Sequence, residues 1–249
     1  MLNRAEIRRK LDSLLPKAAS QGREMEYYLR YHYRRFEYLA QLVDRLLDDP
    51  AKDGQTGRLL DVGPSFQTDL FHLAWPELNI DTLGFFDPKW PKPPTGEHVT
   101  FDLNDADDRS RWPQNNGYQV VVAAEVIEHL YTSPRQTLAC LASLVRPGGY
   151  LVIQTPNAVA LRSRLLMLLG RNPFEMIREE RTNPGHYREY TGSELQMLGR
   201  DLGLEVRQIQ FANYSSSGSL GSRVFGWISP VLPPTLRKCV TIVYRQPDH

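Results

Sequence analysis

The fold class is indicated most clearly by one stretch of the sequence, Arg58-Leu59-Leu60-Asp61-Val62-Gly63-Pro64-Ser65-Phe66-Gln67-Thr68. It begins with a short apolar run of the kind that forms a buried β-strand, and Gly63 follows where the chain must turn tightly. A strand, a glycine turn and a helix in this order are typical of an α/β sheet, which binds its ligands beyond the carboxyl ends of its strands. The polar residues of this turn are therefore the first candidates for a functional site.

Further apolar runs of strand length follow along the chain and alternate with helical stretches. The predicted strands are Arg58–Val62, Ile80–Phe86, Val99–Leu103, Gln119–Val126, Tyr150–Thr155, Leu204–Phe211 and Cys239–Tyr244. The helices predicted between them cover about 67–74, 134–145, 158–170 and 193–202. This alternation predicts a doubly wound α/β sheet of seven strands.

Residues 4–48 form a helical stretch before the first strand, with apolar and aromatic residues at spacings of three and four. Asp49-Pro50 ends this stretch. We expect residues 1–50 to be an N-terminal helical cap on a domain formed by residues 51–249. Its tyrosines and arginines also suit nucleic-acid binding, but aromatic residues at helical spacing more often pack in a core.

The composition is that of an ordinary globular protein. The 249 residues carry a formal net charge of +1, and 41% of them are hydrophobic. The near-neutral charge argues against coating of DNA or RNA, and the two cysteines cannot form a disulfide framework. Because the sequence contains neither a run of about 18 apolar residues nor the pattern of a signal peptide, we expect a cytoplasmic protein.

Several motifs resemble, in order, those of class I S-adenosylmethionine-dependent methyltransferases. The first is Asp61-Val62-Gly63-Pro64-Ser65, where this family has an acidic residue followed by glycines at alternate positions. The others are Gly84–Asp87, Phe101–Asn104, Glu125–Leu130, Leu144–Asn157 and His186–Thr191, and Arg35-Phe36 is similar to an N-terminal helix motif of some members. The resemblance implies a Rossmann-like, mostly parallel sheet of order 3-2-1-4-5-7-6 and S-adenosylmethionine as the cofactor.

The resemblance also implies which residues bind the cofactor. Asp87 would accept hydrogen bonds from both ribose hydroxyls. Ser65 and Gln67 replace two glycines of the family, so either the Ser65 hydroxyl binds the methionine carboxylate or a displaced loop leaves a non-catalytic scaffold. Asp61 is equally suited to hold the loop as a hydrogen-bond acceptor, and Asp87 to begin a turn. The predicted cofactor-binding residues are Asp61, Gly63, Pro64, Ser65, Asp87, Asp102, Leu103 and Glu125.

Glu125, Glu128 and His129 would share one face if the chain became helical after the fourth strand. Two carboxylates and an imidazole suit a divalent ion. The segment is similar to the metal motif of small-RNA 2′-O-methyltransferases and polyprenyl-quinone O-methyltransferases, which implies His186 as a further ligand. The predicted ligands of Mg²⁺ or Mn²⁺ are Glu125, Glu128, His129 and His186.

Catalysis without a metal is the alternative, with His129 or His186 as the general base that removes a proton from the acceptor. The predicted catalytic residues are His129, His186 and Glu125. In a third interpretation, Glu128 and His129 only cap and pack a helix.

Residues 157–190 form an insertion whose leucines alternate with arginines, and such an insertion commonly covers the acceptor in this fold. The resemblance indicates O-methylation of a small molecule or glycan, with an RNA-end 2′-O-methyltransferase as the alternative. The leucine-rich face of the insertion also suits contact with a membrane surface, as does Val224–Ile228.

Overall fold

The structure, a computed structural model, describes residues 2–48, 57–85, 87, 90, 96–114, 117–180, 184–214 and 232–248. Its α-helices are α1 (Arg4–Ser13), α2 (Leu15–Ser20), α3 (Arg23–Leu47), α4 (Phe66–Ala74), α5 (Pro134–Leu144), α6 (Leu161–Leu168) and α7 (Gly192–Asp201). Its strands are β1 (Arg58–Val62), β2 (Asn79–Gly84), β3 (His98–Thr100), β4 (Tyr118–Ala124), β5 (Val145–Pro156), β6 (Glu205–Ala212) and β7 (Cys239–Arg245).

The strands form one sheet in the order β3-β2-β1-β4-β5-β7-β6. The pairs among β1 to β5 are parallel, whereas β7 runs antiparallel to both β5 and β6. This confirms the predicted fold class and strand order. The carboxyl ends of β1, β2 and β4 consequently meet at one edge of the sheet, where a doubly wound fold binds its ligands.

The N-terminal stretch consists of three helices rather than one. Pro16 stands in the first turn of α2, where a backbone N–H is not needed for the helix. In the interior of one continuous helix, the same proline would break the hydrogen bonding. Gly22 precedes α3 with a φ of 117°, a conformation that glycine adopts at little cost. These two residues explain why the predicted helix over 4–48 is interrupted.

Two apolar cores lie on opposite faces of the sheet. Consecutive strand residues alternate between them, so that α5 and α7 cover Leu60 and Val121 while α1, α3 and α4 cover Leu59 and Val120. A fully buried leucine contributes about 1.5–3 kcal/mol relative to an exposed one. The N-terminal helices and the sheet thus share a core, and the predicted boundary between residues 50 and 51 lies outside the described residues.

The predicted bounds of two elements next to the site differ from those in the structure. Strand β4 stops at Ala124 because Glu125 turns into the left-handed region. Helix α6 begins only at Leu161. The chain before it is held in a non-helical conformation at Asn157, whose side-chain amide donates hydrogen bonds to the carbonyl oxygens of Thr235 and Arg237. Both differences concern the chain directly after a strand, where the site forms. None of the described helices is long and apolar enough to span a membrane.

Helix α7 packs against β7 through a glycine. A Cβ atom on Gly199 would overlap the ring of Tyr244, which is fully buried and donates a 2.6 Å hydrogen bond to the Leu195 carbonyl oxygen. The ring has little freedom to move because its hydroxyl is anchored to the same helix.

We therefore expect Gly199→Ala to lower the free energy of unfolding by about 1–3 kcal/mol, although alanine is the better helix former. The exposed neighbour Arg200 provides the control, since Arg200→Ala should change stability by less than about 0.5 kcal/mol. Urea denaturation measures both. A Gly199→Ala protein as stable as the wild type would contradict this packing.

Candidate active site

The loop after β1 is held by its own side chains. Gly63 has a φ of 78°, and its N–H donates to the Leu83 carbonyl oxygen at 2.9 Å. The Ser65 hydroxyl accepts from the Gln67 N–H at the start of α4, and the Ser65 N–H donates to the Thr68 hydroxyl. This capping arrangement stabilises the start of the helix. The cap uses the Ser65 hydroxyl only as an acceptor, so its O–H can still donate, and the predicted contact with the cofactor's carboxylate stays a prediction.

Asp61 lies beneath this loop and is fully buried. Its two carboxylate oxygens accept hydrogen bonds from the Gln67 amide and the Thr68 hydroxyl, each at 2.6 Å. Gln67, one of the residues that replace family glycines, thus has a structural partner. Asp61 takes the loop-holding position described above, and its predicted contact with the cofactor stays a prediction.

A cavity of about 300 Å³ lies beyond the carboxyl ends of β1, β2 and β4. Four of the predicted cofactor-binding residues line it, namely Gly63, Asp102, Leu103 and Glu125. Other parts of its wall are Val62, Leu83, Gly84, Phe85, Phe101, Asn104, Val126, His129 and Leu130. We call it the cofactor-side cavity, because it occupies the ligand position of this fold class.

The remaining predicted cofactor residues lie around this cavity. Pro64 approaches Gly84, where a Cβ atom would lie 3.6 Å from the proline Cδ. Asp87 is half-buried beyond the end of β2 and forms an isolated bridge with Trp90, whose N–H donates to the Asp87 carbonyl oxygen. This backbone turn matches the turn-forming interpretation of Asp87, and its contact with the ribose stays a prediction.

Glu125 has the one positive φ, 57°, of any non-glycine residue in the described part of the chain. A left-handed conformation is unfavourable for a side chain of this size and is often found where function requires it. The condition for one shared helical face is not met, because only a 3₁₀ turn over Ile127–His129 follows β4. Glu125 therefore does not stand one helical turn before Glu128 and His129, although its charge still acts on Glu128.

Arg35 of α3 is not among the predicted site residues, although Arg35-Phe36 is similar to a helix motif of the family. Its side chain is 3% exposed, and its Nη1 lies 3.7 Å from a Glu125 carboxylate oxygen. The Arg35 Nε and Nη1 atoms and the Glu125 Oε1 atom have no hydrogen-bond partner. A buried guanidinium with unused donors is suited to bind a carboxylate or phosphate of a ligand.

A second cavity of about 620 Å³ opens on the other side of Glu125. It is lined by Tyr28, Tyr31, His32 and Arg35 of α3, by Ala160, Arg162, Ser163 and Pro173 of the insertion, and by Glu125, His129, Pro156, Asn157, His186, Glu189, Tyr214, Lys238 and Cys239. Burial, followed by the charge of Arg35, lowers the pKa of His32 to about 3, so that its imidazole is neutral. Glu125 and His129 line both cavities, so the two cavities adjoin. We call the second one the acceptor-side cavity, to distinguish it from the cofactor-side cavity.

Glu128, His129 and His186 meet at the edge of the acceptor-side cavity. One potential ligand atom from each residue lies within 4.8 Å of the others. Glu128 is fully buried, and its Oε2 accepts a 2.9 Å hydrogen bond from Thr155 while its Oε1 has no partner. Glu125 is outside this group, so the structure brings three of the four predicted metal ligands together.

Hydrogen bonds orient both histidine rings. The His129 Nδ1–H donates to the Gly185 carbonyl oxygen at 2.8 Å, which leaves Nε2 with its lone pair in the neutral ring. His186 Nδ1 lies 3.0 Å from a Glu189 carboxylate oxygen, to which it donates. The ring centroids are 5.0 Å apart. Both Nε2 atoms are therefore free to take a proton or a metal ion.

The charges of this cluster are shifted by burial. Burial lowers the pKa of His129, whereas the hydrogen bond to Glu189 raises the pKa of His186. Burial, with the neighbouring Glu125 charge, raises the pKa of Glu128 to about 8. An uncompensated carboxylate at this depth is costly, so burial favours the protonated form of Glu128 unless a cation joins it.

The sheet order, the cavity beyond β1, β2 and β4, and the glycine turn define the fold of class I S-adenosylmethionine-dependent methyltransferases. The sequence comparison agrees with this class, since the family described as "Methyltransferase domain" matches residues 31–209. The chain belongs to this methyltransferase domain family.

Curated relatives carry the name ubiquinone biosynthesis O-methyltransferase. The protein from Aeromonas salmonicida (strain A449) is 33% identical over 110 residues, which are 43% of this chain and 45% of that protein. The protein from Burkholderia pseudomallei (strain 1710b) is 33% identical over 97 residues, or 39% of this chain and 40% of that one. The matched part of the chain thus spans less than half the length of these relatives.

Solved structures agree in fold. A methyltransferase from Archaeoglobus fulgidus described as SAM-dependent has a TM-score of 0.54 at 18% identity, covering 88% of this chain and 99% of that one. The 1,6-didemethyltoxoflavin-N1-methyltransferase of Burkholderia thailandensis, solved with 1,6-didemethyltoxoflavin and S-adenosylhomocysteine, has a TM-score of 0.55 at 14% identity and covers 100% of this chain and 92% of that one.

The buried Asp61 predicts a specific pH dependence of stability. Burial raises the pKa of its carboxyl from 3.8 to about 7 despite the two hydrogen bonds that it accepts. Between these values, the unfolded chain loses a proton that the folded chain keeps. The contribution of Asp61 to the free energy of unfolding is therefore fully present at low pH and decreases as the pH rises from about 4 to about 7.

Removal of the ionisable group should remove this decrease. We expect the free energy of unfolding of Asp61→Asn to fall less over this pH range than that of the wild type, as measured by urea denaturation at a series of pH values. Parallel pH profiles for the two proteins would show that Asp61 is ionised in the fold.

Proposed function

We propose that the protein transfers the methyl group of S-adenosylmethionine to a hydroxyl oxygen of a small molecule. The observation that carries this proposal is that Glu125 and His129 line both cavities, so a methyl donor and an acceptor can meet between them. The family match and the O-methyltransferase names of the relatives support it.

The cofactor would lie with its adenosine in the cofactor-side cavity and its methionine part toward α3. Arg35, which lines the acceptor-side cavity next to Glu125, is the buried cation on that side. It would bind the methionine carboxylate where the two cavities share Glu125. Glycine at position 63 permits close approach of the cofactor, because a Cβ there would lie 3.2 Å from Val126 and the φ is positive.

Methyl transfer is an in-line displacement at the methyl carbon. The acceptor oxygen forms the new bond to carbon as the carbon–sulfur bond breaks. The electron pair of the broken carbon–sulfur bond stays on sulfur, which gives S-adenosylhomocysteine. His129 is suited to take the hydroxyl proton at Nε2, because Gly185 fixes the proton at Nδ1 and the lowered pKa keeps the ring neutral. Alignment of the three reacting atoms is the remaining contribution of the protein.

A divalent ion is the second version of this proposal, and the buried Glu128 Oε1 without a partner favours it. This oxygen and the two histidine Nε2 atoms would hold the ion. Mg²⁺ or Mn²⁺ bound there would polarise the acceptor hydroxyl as a Lewis acid. Two imidazole nitrogens and one carboxylate oxygen suit Mn²⁺ better than Mg²⁺, which prefers oxygen ligands. Glu189 and Gly185 orient the two imidazoles from behind.

Transfer of a labelled methyl group from S-adenosylmethionine to a panel of phenols, catechols and sugars tests the proposed function. We expect label in at least one hydroxyl compound, and His129→Ala should reduce turnover by about a hundredfold or more while cofactor affinity is kept. His72→Ala on α4, which lines neither cavity, is the control. Loss of wild-type turnover on chelation, with recovery on adding Mg²⁺ or Mn²⁺, would select the metal version.

Turnover that survives both chelation and His129→Ala would contradict both versions. Label found only on nitrogen or carbon would retain a methyltransferase but reject O-methylation.

The role of Arg35 has its own test in cofactor affinity. Arg35→Gln should weaken binding of S-adenosylmethionine by roughly 1.5–3 kcal/mol, the cost of losing a charged hydrogen bond. Binding of 5′-methylthioadenosine, which has no carboxylate, should change much less. Calorimetric titration measures both, and Arg30→Gln, an exposed site on the same helix, is the control.

An equal loss for both ligands would assign Arg35 a structural role only. A thermal melt of each variant verifies that it is folded before the titrations are compared.

A further inference from the structure

The surface of the insertion is unusually apolar. Seven of the thirteen exposed large apolar side chains in the described part of the chain fall between Leu165 and Ile177. We call these residues the lid patch: Leu165, Met167, Leu168, Leu169, Phe174, Met176 and Ile177. Leu168 is 82% exposed and Met176 is 87% exposed. Such a concentration of exposed apolar side chains is typical of a surface that contacts a membrane or another protein.

The lid patch does not serve the cavities. Helix α6 buries only Ser163, and none of the lid patch residues lines the cofactor-side or the acceptor-side cavity. The underside of the insertion contributes Ala160, Arg162 and Ser163 to the acceptor-side cavity. The insertion thus has one side on the site and an opposite, apolar side in solvent.

The charges around the lid patch are positive along α6 and the turn after it. Residues 158–174 contain Arg162, Arg164 and Arg171 and no acidic residue. Arg164 and Arg171 are exposed, and the Arg164 Nε donates to the Val159 carbonyl oxygen at the start of α6. At the other end of the patch, Glu175 pairs with Arg178, and the exposed Glu179 and Glu180 follow, so the positive charge is confined to the part that carries Leu165 to Leu169. Leucines flanked by arginines are the composition of segments that lie in the interface of an anionic bilayer.

We propose that the lid patch docks on the surface of a phospholipid bilayer that contains anionic headgroups. The leucine and methionine side chains enter the boundary of the acyl chains, and Arg164 and Arg171 meet the phosphates. The contact is peripheral and reversible, because a short helix buries far less apolar area than a spanning one. If the proposed function holds, docking also brings the acceptor-side cavity next to the membrane, since the same insertion forms part of its wall.

Flotation of the full-length protein with vesicles tests this proposal. One set of vesicles consists of phosphatidylcholine and phosphatidylglycerol, and the other of phosphatidylcholine alone. We expect the wild type to float with the anionic vesicles at low salt and to be released as the salt concentration rises. The double variant Leu168→Ser/Met176→Ser should bind these vesicles about tenfold more weakly or worse.

Two further variants separate the apolar from the charged contribution. Leu73→Ser/Met197→Ser, which removes exposed apolar side chains outside the lid patch, should bind as the wild type does. Arg164→Gln/Arg171→Gln should lose about fivefold for each arginine on anionic vesicles and little on neutral ones.

The proposal is overturned if the wild type does not float with anionic vesicles at low salt, or if Leu168→Ser/Met176→Ser floats as well as the wild type. A dimer that this double variant converts to a monomer, without vesicle binding by the wild type, would assign the lid patch to a second copy of the chain and also overturn it. Titration of each variant with S-adenosylmethionine is an independent readout, because none of the substituted residues touches either cavity. A failed proposed function therefore appears there and not in the flotation.

Discussion

The ion pair between Arg35 and Glu125 is the contact on which the arrangement of the site depends. It joins α3 to the end of β4, and both partners are largely withdrawn from water. Two buried charges at 3.7 Å repay their desolvation only when their remaining donors and acceptors are satisfied. Here Arg35 Nε and Nη1 and Glu125 Oε1 are not, and this is why we propose that a ligand binds beside the pair.

The backbone around this pair is correspondingly constrained. The shared apolar core holds α3 against the sheet, and the Glu125 N–H donates to the Gln154 carbonyl oxygen of β5 at 2.8 Å. The left-handed turn at Glu125 is strained for a non-glycine residue, and the neighbouring contacts must supply the compensation. In return, the turn directs the chain so that Glu125 faces both cavities while Glu128 enters the core.

The histidine pair depends on a second, more distant connection. Asn157 at the end of β5 forms a parallel bridge with Tyr190, and the Tyr187 N–H donates to the Glu128 carbonyl oxygen. These backbone bonds bring His186 beside His129, although the two are far apart in sequence. The same segment supplies the Gly185 carbonyl that sets the His129 tautomer.

Much of the fold could be predicted from the sequence because buried strands carry a strong local signal. The predicted strand Arg58–Val62 has the same bounds as β1 in the structure. The strand order, in contrast, is implied only by the resemblance to a family. The site was less accessible. The spacing of Glu125, Glu128 and His129 indicates a helical face only if φ is helical at Glu125, and the competing turn has no sequence signature.

Two other features of the site required coordinates. Ser65 and Gln67 depart from the family's glycines, and only the hydrogen bonds to Thr68 and Asp61 explain how the loop tolerates them. Arg35 is a candidate ligand-binding residue because it is buried beside the Glu125 carboxylate, and one helix motif does not predict burial.

Val224–Ile228, the second stretch predicted to suit a membrane, lies outside the described residues.

Calorimetric titration of the metal-free wild-type protein with S-adenosylmethionine tests the central claim most directly, because every step of the proposed reaction passes through this binding event. We expect binding in the micromolar range in the absence of a metal ion, since the ion would bind beside the acceptor and not the cofactor. Absence of binding, both without and with Mg²⁺ or Mn²⁺, would contradict it and would assign the fold to a non-catalytic scaffold.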